Sequence, residues 1–357
     1  MLSIISFTET GKRLSESIAK MFKTEMEVCL YTKCQASIEE DINSSVSFVK
    51  TSVKEWAGEQ MQKQNAMLFI GACGIAVRAI APFLTDKLHD TPVLVMDEKG
   101  KFIIPILSGH MGGANEFANE LAKKTGAEPV ITTATDINQK FAVDLFAKRN
   151  SFFIANKEGI VKVSSKVLAG KEITMSIEPG HRIMTEDAYT PVGVRLIPYL
   201  PEEAADIVIT SKEDKFDTTI LLKPKEYIIG MGCRRGKSTE EIADFIEKKL
   251  KENNISMEQV YALASISQKS DEKGLIEWCK KERVLFLTYT AEELQEIKGN
   301  FKESSFVKEQ VGVGNVCERA ALKACEENGK LITPKFAENG MTIAIAKREW
   351  TVCFYDK

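Results

Sequence analysis

Residues 102–115 read Phe102-Ile-Ile-Pro-Ile-Leu-Ser-Gly-His-Met-Gly-Gly-Ala-Asn115, and residues 129–136 read Pro129-Val-Ile-Thr-Thr-Ala-Thr-Asp136. The apolar run Phe102 to Leu107 is a strand that breaks at Ser108-Gly109-His110. Ala114, Phe117, Ala118, Leu121 and Ala122 then recur at the spacing of one helix face. Lys123, Lys124 and Gly126 form a helix stop, with cations at the negative end of the dipole. A second strand, Pro129 to Thr132, runs into a turn where Thr135 or Asp136 can cap the next helix. Strand–loop–helix–strand–loop–helix predicts parallel strands with both loops at their carboxyl ends, where open α/β sheets bind ligands. Gly109, Gly112 and Gly113 allow close backbone approach, and Ser108, His110, Asn115, Thr132, Thr133 and Asp136 would converge on that edge.

Outward from this stretch, the fold class is α/β. An N-terminal α/β domain spans 1–148, a smaller α+β middle domain 149–223, and a C-terminal α/β domain 224–357. In the first, Leu2–Phe7, Glu27–Thr32 and Met67–Ile70 read as strands and Thr10–Phe22 as a helix. Phe48–Met61 reads as a second helix, with Phe48, Val49, Ser52, Val53 and Trp56 on one face. Gly71 to Gly74 feeds a helix over Ile75–Ala81, closed by Pro82. Arg78 falls in its first turn, where a cation opposes the dipole and calls for an anion, either a neighbouring carboxylate or one from a substrate. Glu98-Lys99-Gly100 reads as a hairpin turn. Past Asp136, Ile137, Phe141 and Leu145 mark a helix, with Asp144 at the edge of its apolar arc. The middle segment reads as the helix Val161–Ala169 and the strands Ala205–Thr210 and Thr218–Leu222, with His181 in a loop.

In the last domain the strand Tyr227–Ile229 meets a loop, Gly230-Met-Gly-Cys-Arg-Arg-Gly-Lys237, and Ser238-x-x-Glu241 is a capping box that starts a helix. The loop misses both nucleotide motifs. A dinucleotide fingerprint needs glycine where Arg235 stands, and a P-loop needs it at Met231. Gly232, Arg234, Arg235 and the helix start still make an anion site, which carboxylates fit as well as phosphates. Gly314 and Asn315 open a later helix in the same way, and Met341–Lys347 with Trp350–Tyr355 read as a closing hairpin.

The chain has 357 residues, ample for several cores, and its 48 Lys+Arg against 51 Asp+Glu leave no basic excess for nucleic acid. No apolar run reaches the ~18 residues of a membrane span, and the first residues read as a strand rather than a signal peptide. The 8 cysteines lack any Cys-x-x-Cys and suit free thiols in a reducing cytoplasm. The 3 histidines are far apart, so no metal-ligand spacing is present.

Ser108–Asn115 followed by Val130–Asp136 resembles the signature of the cobalt-precorrin-5A hydrolases of the anaerobic cobalamin pathway. Gly74–Pro82 upstream and Gly230–Gly236 downstream resemble further blocks of that family in the same order. The resemblance covers nearly the whole chain and is weakest over the first sixty residues and the middle segment. It implies a cobalt-bearing macrocycle with acetate and propionate arms as substrate, whose δ-lactone is hydrolysed with loss of a two-carbon unit as acetaldehyde. The resemblance then implies that cobalt arrives inside the substrate, that no cofactor is needed, and that the product is handed over to neighbouring enzymes of the pathway. On chemical grounds His110 is the leading acid/base, and Asp136 either orients it or is itself the base. Ser108, Asn115, Thr132, Thr133 and the Gly112–Gly113 backbone would be donors, and Arg78, Arg234 and Arg235 anchors for carboxylates. Two other classes fit the residues: a tetrapyrrole carrier or sensor without catalysis, and a P-loop-like nucleotide enzyme using Lys237 and Ser238.

Overall fold

A computed structural model describes residues 1–35, 45–85, 90–109, 112–133, 140–185, 190–212, 216–304, 309–326 and 328–355. The chain forms two compact units, Met1–Lys140 and Phe141–Lys357. His110 and Asp136 lie outside the described residues, as do Ala134, Thr135 and Ile137.

The first unit is built on strands β1 (Leu2–Ser6), β2 (Val28–Thr32), β3 (Val46–Phe48), β4 (Ala66–Ile70), β5 (Val93–Met96), β6 (Phe102–Leu107) and β7 (Glu128–Pro129). They form a seven-stranded sheet in the order β3-β2-β1-β4-β5-β6-β7. All neighbours are parallel except β5 and β6, which form the expected hairpin. In its turn the Asp97 carboxylate accepts from the backbone N–H groups of Lys99, Lys101 and Phe102.

Strand side chains alternate between two cores. Leu2, Ile4, Leu68, Ile70, Leu94 and Met96 meet helices α1 (Glu9–Phe22) and α4 (Ala114–Thr125). Ile5, Met67, Phe69, Val93 and Val95 meet α2 (Val53–Gln62) and α3 (Cys73–Ile80) on the other face. Strands covered on both faces read as near-continuous apolar runs, which is why they stand out in the sequence.

Two expectations are corrected here. Residues 46–48 are strand, and the helix starts only after Ser52, whose side chain caps Glu55 N–H while Glu55 caps Ser52 in return. That capping box outweighs the apolar spacing that extended the helix back to Phe48. The helix after Gly71 runs Cys73–Ile80, so Arg78 sits in its last turn, not its first. A cation there is favoured by the dipole, and Arg78 Nη1 donates to Gly74 O at 3.1 Å. No ligand anion is required to explain it.

The second unit contains two larger sheets. The first joins β8 (Phe152–Ile154), β9 (Ile173–Ile177), β11 (Val194–Ile197), β12 (Ala205–Ile209) and β13 (Thr218–Pro224) in the order β11-β9-β12-β13-β8. Only the β13–β8 pairing is antiparallel. Helix α5 (Val143–Arg149) precedes β8, and α6 (Glu158–Leu168) links β8 to β9. Phe141 precedes α5, and the apolar arc of that helix is Val143, Phe146 and Ala147, with Asp144 buried beside them. The expected arc through Phe141 and Leu145 is therefore displaced.

The other sheet joins β14 (Tyr227–Cys233), β15 (Val260–Ile266), β16 (Leu285–Tyr289), β17 (Lys330–Glu338) and β18 (Met341–Lys347) in the order β16-β15-β14-β18-β17. Helices α7 (Thr239–Glu252) and α8 (Lys273–Glu282) bury one face; α9 (Ala291–Gln295) and α10 (Val316–Ala324) bury the other. The closing hairpin is β17–β18, not Met341–Lys347 with Trp350–Tyr355. Asn339 and Gly340 have φ of 50° and 75°, as a tight primed turn between strands requires. Pro334 masks β17 in the sequence, but β17 is an edge strand with shifted register, where proline is tolerated. The last strand, β19 (Thr351–Cys353), pairs instead with β10 (Arg182–Met184). Asn150 fixes it, donating to Cys353 O and accepting from Cys353 N.

All 8 cysteines are free thiols, and burial pushes those of Cys279 and Cys325 up to about 12 and that of Cys317 to about 11. Among the described residues no helix is long and apolar enough to cross a membrane, and no cluster of potential metal ligands occurs.

Candidate active site

Strands β6 and β7 are parallel, so the loops following them leave the same edge of the first sheet. Because β6 runs against β5, this is the edge where β4 and β5 begin, opposite the Gly71 turn. Ser108 opens the first loop with φ of 58°, a backbone region L-residues seldom adopt. Two hydrogen bonds hold it there: Ser108 Oγ donates to Asp90 O at 2.7 Å, and Ser108 O accepts from Ala114 N at 3.0 Å. A Cβ on Gly112 would lie 2.3 Å from Ser108 Cβ and 2.8 Å from Ser108 O. Only glycine lets the loop close on itself at that point. Ser108 and Gly112, on either side of His110 in sequence, are therefore in direct contact.

Helix α4 begins at Gly113 with no side-chain cap. Asn115 N donates to Gly109 O, and the Asn115 side chain lies over Gly109. Asn115 Nδ2 donates to Thr133 Oγ1 at 2.7 Å, joining the two loops. Asn115 is buried, Thr133 half-buried and Thr132 exposed. Ser108, Gly109, Gly112, Gly113, Asn115 and Thr133 are thus brought together, while Arg78, on the helix facing the other layer, turns back to Gly74. Such an arrangement offers hydroxyl and amide groups at a rigid sheet edge, held by contacts that leave little freedom.

Replacing Asn115 by leucine should test that rigidity. Thr133 loses its partner and a buried amide disappears, which should cost about 1–3 kcal/mol of stability. The unfolding midpoint and kcat/KM should both fall. If neither changes, the bridge between the loops has no role.

The C-terminal candidates have a different setting. Strand β14 runs to Cys233, pairing with β18 from Tyr227↔Lys347 to Cys233↔Met341, so Gly230 and Gly232 are strand residues rather than loop. Gly230 packs under α10, where a Cβ would meet Cys317 O at 1.8 Å. Gly236 N donates to Glu272 Oε1 at 2.8 Å, and Lys237 Nζ is 2.6 Å from Glu241 Oε1. Burial works to raise the Glu272 carboxyl, but Lys269 and the Gly236 N–H outweigh it and hold it below the usual range. A protein carboxylate thus occupies the helix start where a P-loop would hold phosphate. Arg235 Nη1 pairs with Asp271 Oδ1 at 2.9 Å and Nη2 donates to Gln268 O. Asn315 is the N-cap of α10: its Oδ1 accepts from Glu318 N, and its Nδ2 donates to Glu318 and to Lys302 O. Gly314 packs on Glu303.

Covered α/β sheets, with polar loops tied together at one sheet edge, place the chain in the α/β class, whose loops carry the functional groups in many enzymes. Residues 55–136 match the family described as cobalamin synthesis G N-terminal, and residues 227–346 match cobalamin synthesis G C-terminus. The chain is 33% identical over 333 residues to a cobalt-precorrin-5A hydrolase of Priestia megaterium, across 90% of this chain and 88% of that one. It is 32% identical over 350 residues to that of Salmonella typhimurium, across 96% and 97%. The chain belongs to the cobalt-precorrin-5A hydrolase family. Among solved structures, a cobalamin biosynthesis protein G homolog from Sulfolobus solfataricus is 26% identical, with 98% of this chain and 97% of that one covered and a TM-score of 0.40.

Proposed function

We infer that the protein hydrolyses the δ-lactone of cobalt-precorrin-5A and releases the two-carbon unit as acetaldehyde, leaving cobalt-precorrin-5B. The observation that carries this reading is the match to a cobalt-precorrin-5A hydrolase along 90% of the chain. The joined loops of the first unit support it as a place for the chemistry.

Water adds to the lactone carbonyl, and the resulting oxyanion needs hydrogen-bond donors. Candidate donors are the Thr132 and Thr133 hydroxyls and the backbone around Gly112 and Gly113, with Ser108 and Asn115 holding the loops in shape. Collapse breaks the ring C–O bond and frees a carboxylate and a hydroxyl. Removal of the hydroxyl proton then breaks the adjacent C–C bond. Acetaldehyde leaves, and the macrocycle carbon keeps the electron pair and takes a proton. His110 is the proposed acid/base, with Asp136 as its orienting partner or as the base. The macrocycle and its cobalt serve as the electron sink, so the reading needs no resident cofactor. It places the reaction in the cytoplasm, with the product passed to a neighbouring pathway enzyme.

Incubation with cobalt-precorrin-5A under anaerobic conditions should give acetaldehyde in equal amount to the lactone lost, together with the matching mass change. Binding of the lactone without turnover would leave a carrier or sensor. Elemental analysis of the purified protein before substrate is added should find no stoichiometric transition metal, since ligand spacing is absent from the sequence. One zinc or iron per chain that survives dialysis would overturn that part.

A further inference from the structure

The carboxyl end of β14 opens into a cavity of about 450 Å³ within the second unit. Ile266, Val311, Val316 and Met341 give it apolar walls, and Arg234 and Lys335 stand among its lining. Its charges divide cleanly. Lys269 is paired with Glu272 at 2.9 Å, and the one lining carboxylate, Glu338, is held by Lys248 at 2.9 Å. Among the described residues, the side chains of Arg234 and Lys335 have no hydrogen-bond or ion-pair partner. Arg234 is fixed in place nonetheless: its N–H donates to Gly340 O at 2.9 Å, and its stem packs on Gly340, where a Cβ would sit 2.9 Å from Arg234 Cδ. Lys335 is anchored by its backbone, whose N–H donates to the buried Glu318 carboxylate at 2.8 Å. Two unpartnered cations on ordered backbone, beside an apolar hollow, suit an anionic group on an apolar stem.

We propose that this cavity binds a carboxylated side arm of the tetrapyrrole substrate, with Arg234 and Lys335 as its anion partners. The proposal rests on the functional reading above for the identity of the ligand. The volume lies toward the lower end of the ~300–1,000 Å³ that ligand pockets span, which suits an arm and a ring edge rather than the whole macrocycle. It also separates two neighbouring arginines that the sequence presents as equals. Arg234 faces the cavity, whereas Arg235 is held by Asp271 and Gln268.

The test uses the full chain in two assays. In turnover of cobalt-precorrin-5A, Arg234→Ala should raise KM by ~tenfold to a hundredfold, the range for a lost charged hydrogen bond. Its kcat should stay within about threefold, as expected for an interaction made equally in the ground and transition states. Arg234→Lys should recover part of the loss, Lys335→Glu should raise KM as well, and Arg235→Ala should do so by less than about threefold. In the second assay uroporphyrin III, a tetrapyrrole with acetate and propionate arms, is titrated by fluorescence. Its affinity should fall in the same variants, and millimolar ATP or inorganic phosphate should not displace it. Unfolding midpoints close to wild type show that the variants are folded, and Lys335→Glu serves if Arg234→Ala is not. Wild-type turnover with KM unchanged in both Arg234→Ala and Lys335→Glu would overturn the cavity and leave the hydrolase standing. Absence of turnover alongside Arg234-dependent porphyrin binding would do the reverse. Displacement by phosphate would overturn the carboxylate assignment.

Discussion

Alanine at position 110 should lower kcat by ~10²–10⁴, the usual range for a positioned acid/base, with substrate binding near normal. The residues that flank it in sequence are tightly held. Ser108 is held at positive φ by Asp90 O and Ala114 N, and Gly112 closes against it. Past Gly113, Asn115 ties this loop to Thr133, just before Asp136 in sequence. Strain and close packing of this kind persist at sites where geometry matters to function. Of the other histidines, His89 lies outside the described residues, and His181 is stacked on Trp350 with ring centroids 3.5 Å apart. Burial pushes the His181 imidazole below its ordinary range, and it sits in the other unit. An imidazole can both take the hydroxyl proton and return one to the ring carbon. The variant should therefore also lose the near-neutral limb of the pH–rate profile, whereas a merely structural role would shift stability instead. A kcat within about threefold of wild type would make His110 structural and Asp136 the leading base.

Much of this architecture is legible because the chain is locally consistent. The strands Leu2–Ser6 and Ala66–Ile70 are apolar along almost their whole length because both faces are covered, and Ser238 with Glu241 marks the start of α7 as the spacing suggests. The loops after β6 and β7 announce themselves through clustered glycines and hydroxyls, and their parallel strands place them on one edge. What stayed hidden had competing signals. The Asn339-Gly340 dipeptide marks a hairpin, but Pro334 argues against the strand before it, and a bulged edge strand resolves that conflict only in three dimensions. The helix starts two residues before Ile75, and in so short a helix that is enough to put Arg78 at the other end. Arg234 and Arg235 are adjacent in the chain, and only their partners tell them apart. Gly230 reads as the start of a loop, yet it lies within β14 and packs under α10. A glycine that admits a phosphate and a glycine that admits a helix look alike in sequence, since both need a missing Cβ.

That last ambiguity has a large consequence for stability. Gly230→Ala should lower the stability of the second unit by about 3 kcal/mol or more, at the upper end of what overpacking costs. A Cβ built at this position lies 1.8 Å from Cys317 O, 2.8 Å from Cys317 C and 2.9 Å from the Ala321 methyl. Two of those three atoms belong to helix backbone, so no side-chain rotation relieves the clash. Helix α10 must move away from β14 or the strand must bend, and neither is easy. The helix is pinned at its first turn by the Asn315 cap and by Glu318, which bonds the Lys335 N–H of the edge strand. The strand is held by β15 on one side and β18 on the other. For a domain of this size each kcal/mol is worth roughly 2–4 °C, so the unfolding midpoint should drop by about 6–12 °C. Gly236→Ala is the contrast. Its φ is +80° but nothing lies within 4 Å of the added methyl, so only the conformational cost of about 1–2 kcal/mol applies. If Gly230→Ala melts within about 1 °C of wild type, the close approach of α10 to β14 is not real. The helix would then have room to yield, and position 230 would not demand glycine. If it melts early but keeps turnover per folded molecule, its place is in the packing of α10 on β14 and not in the chemistry.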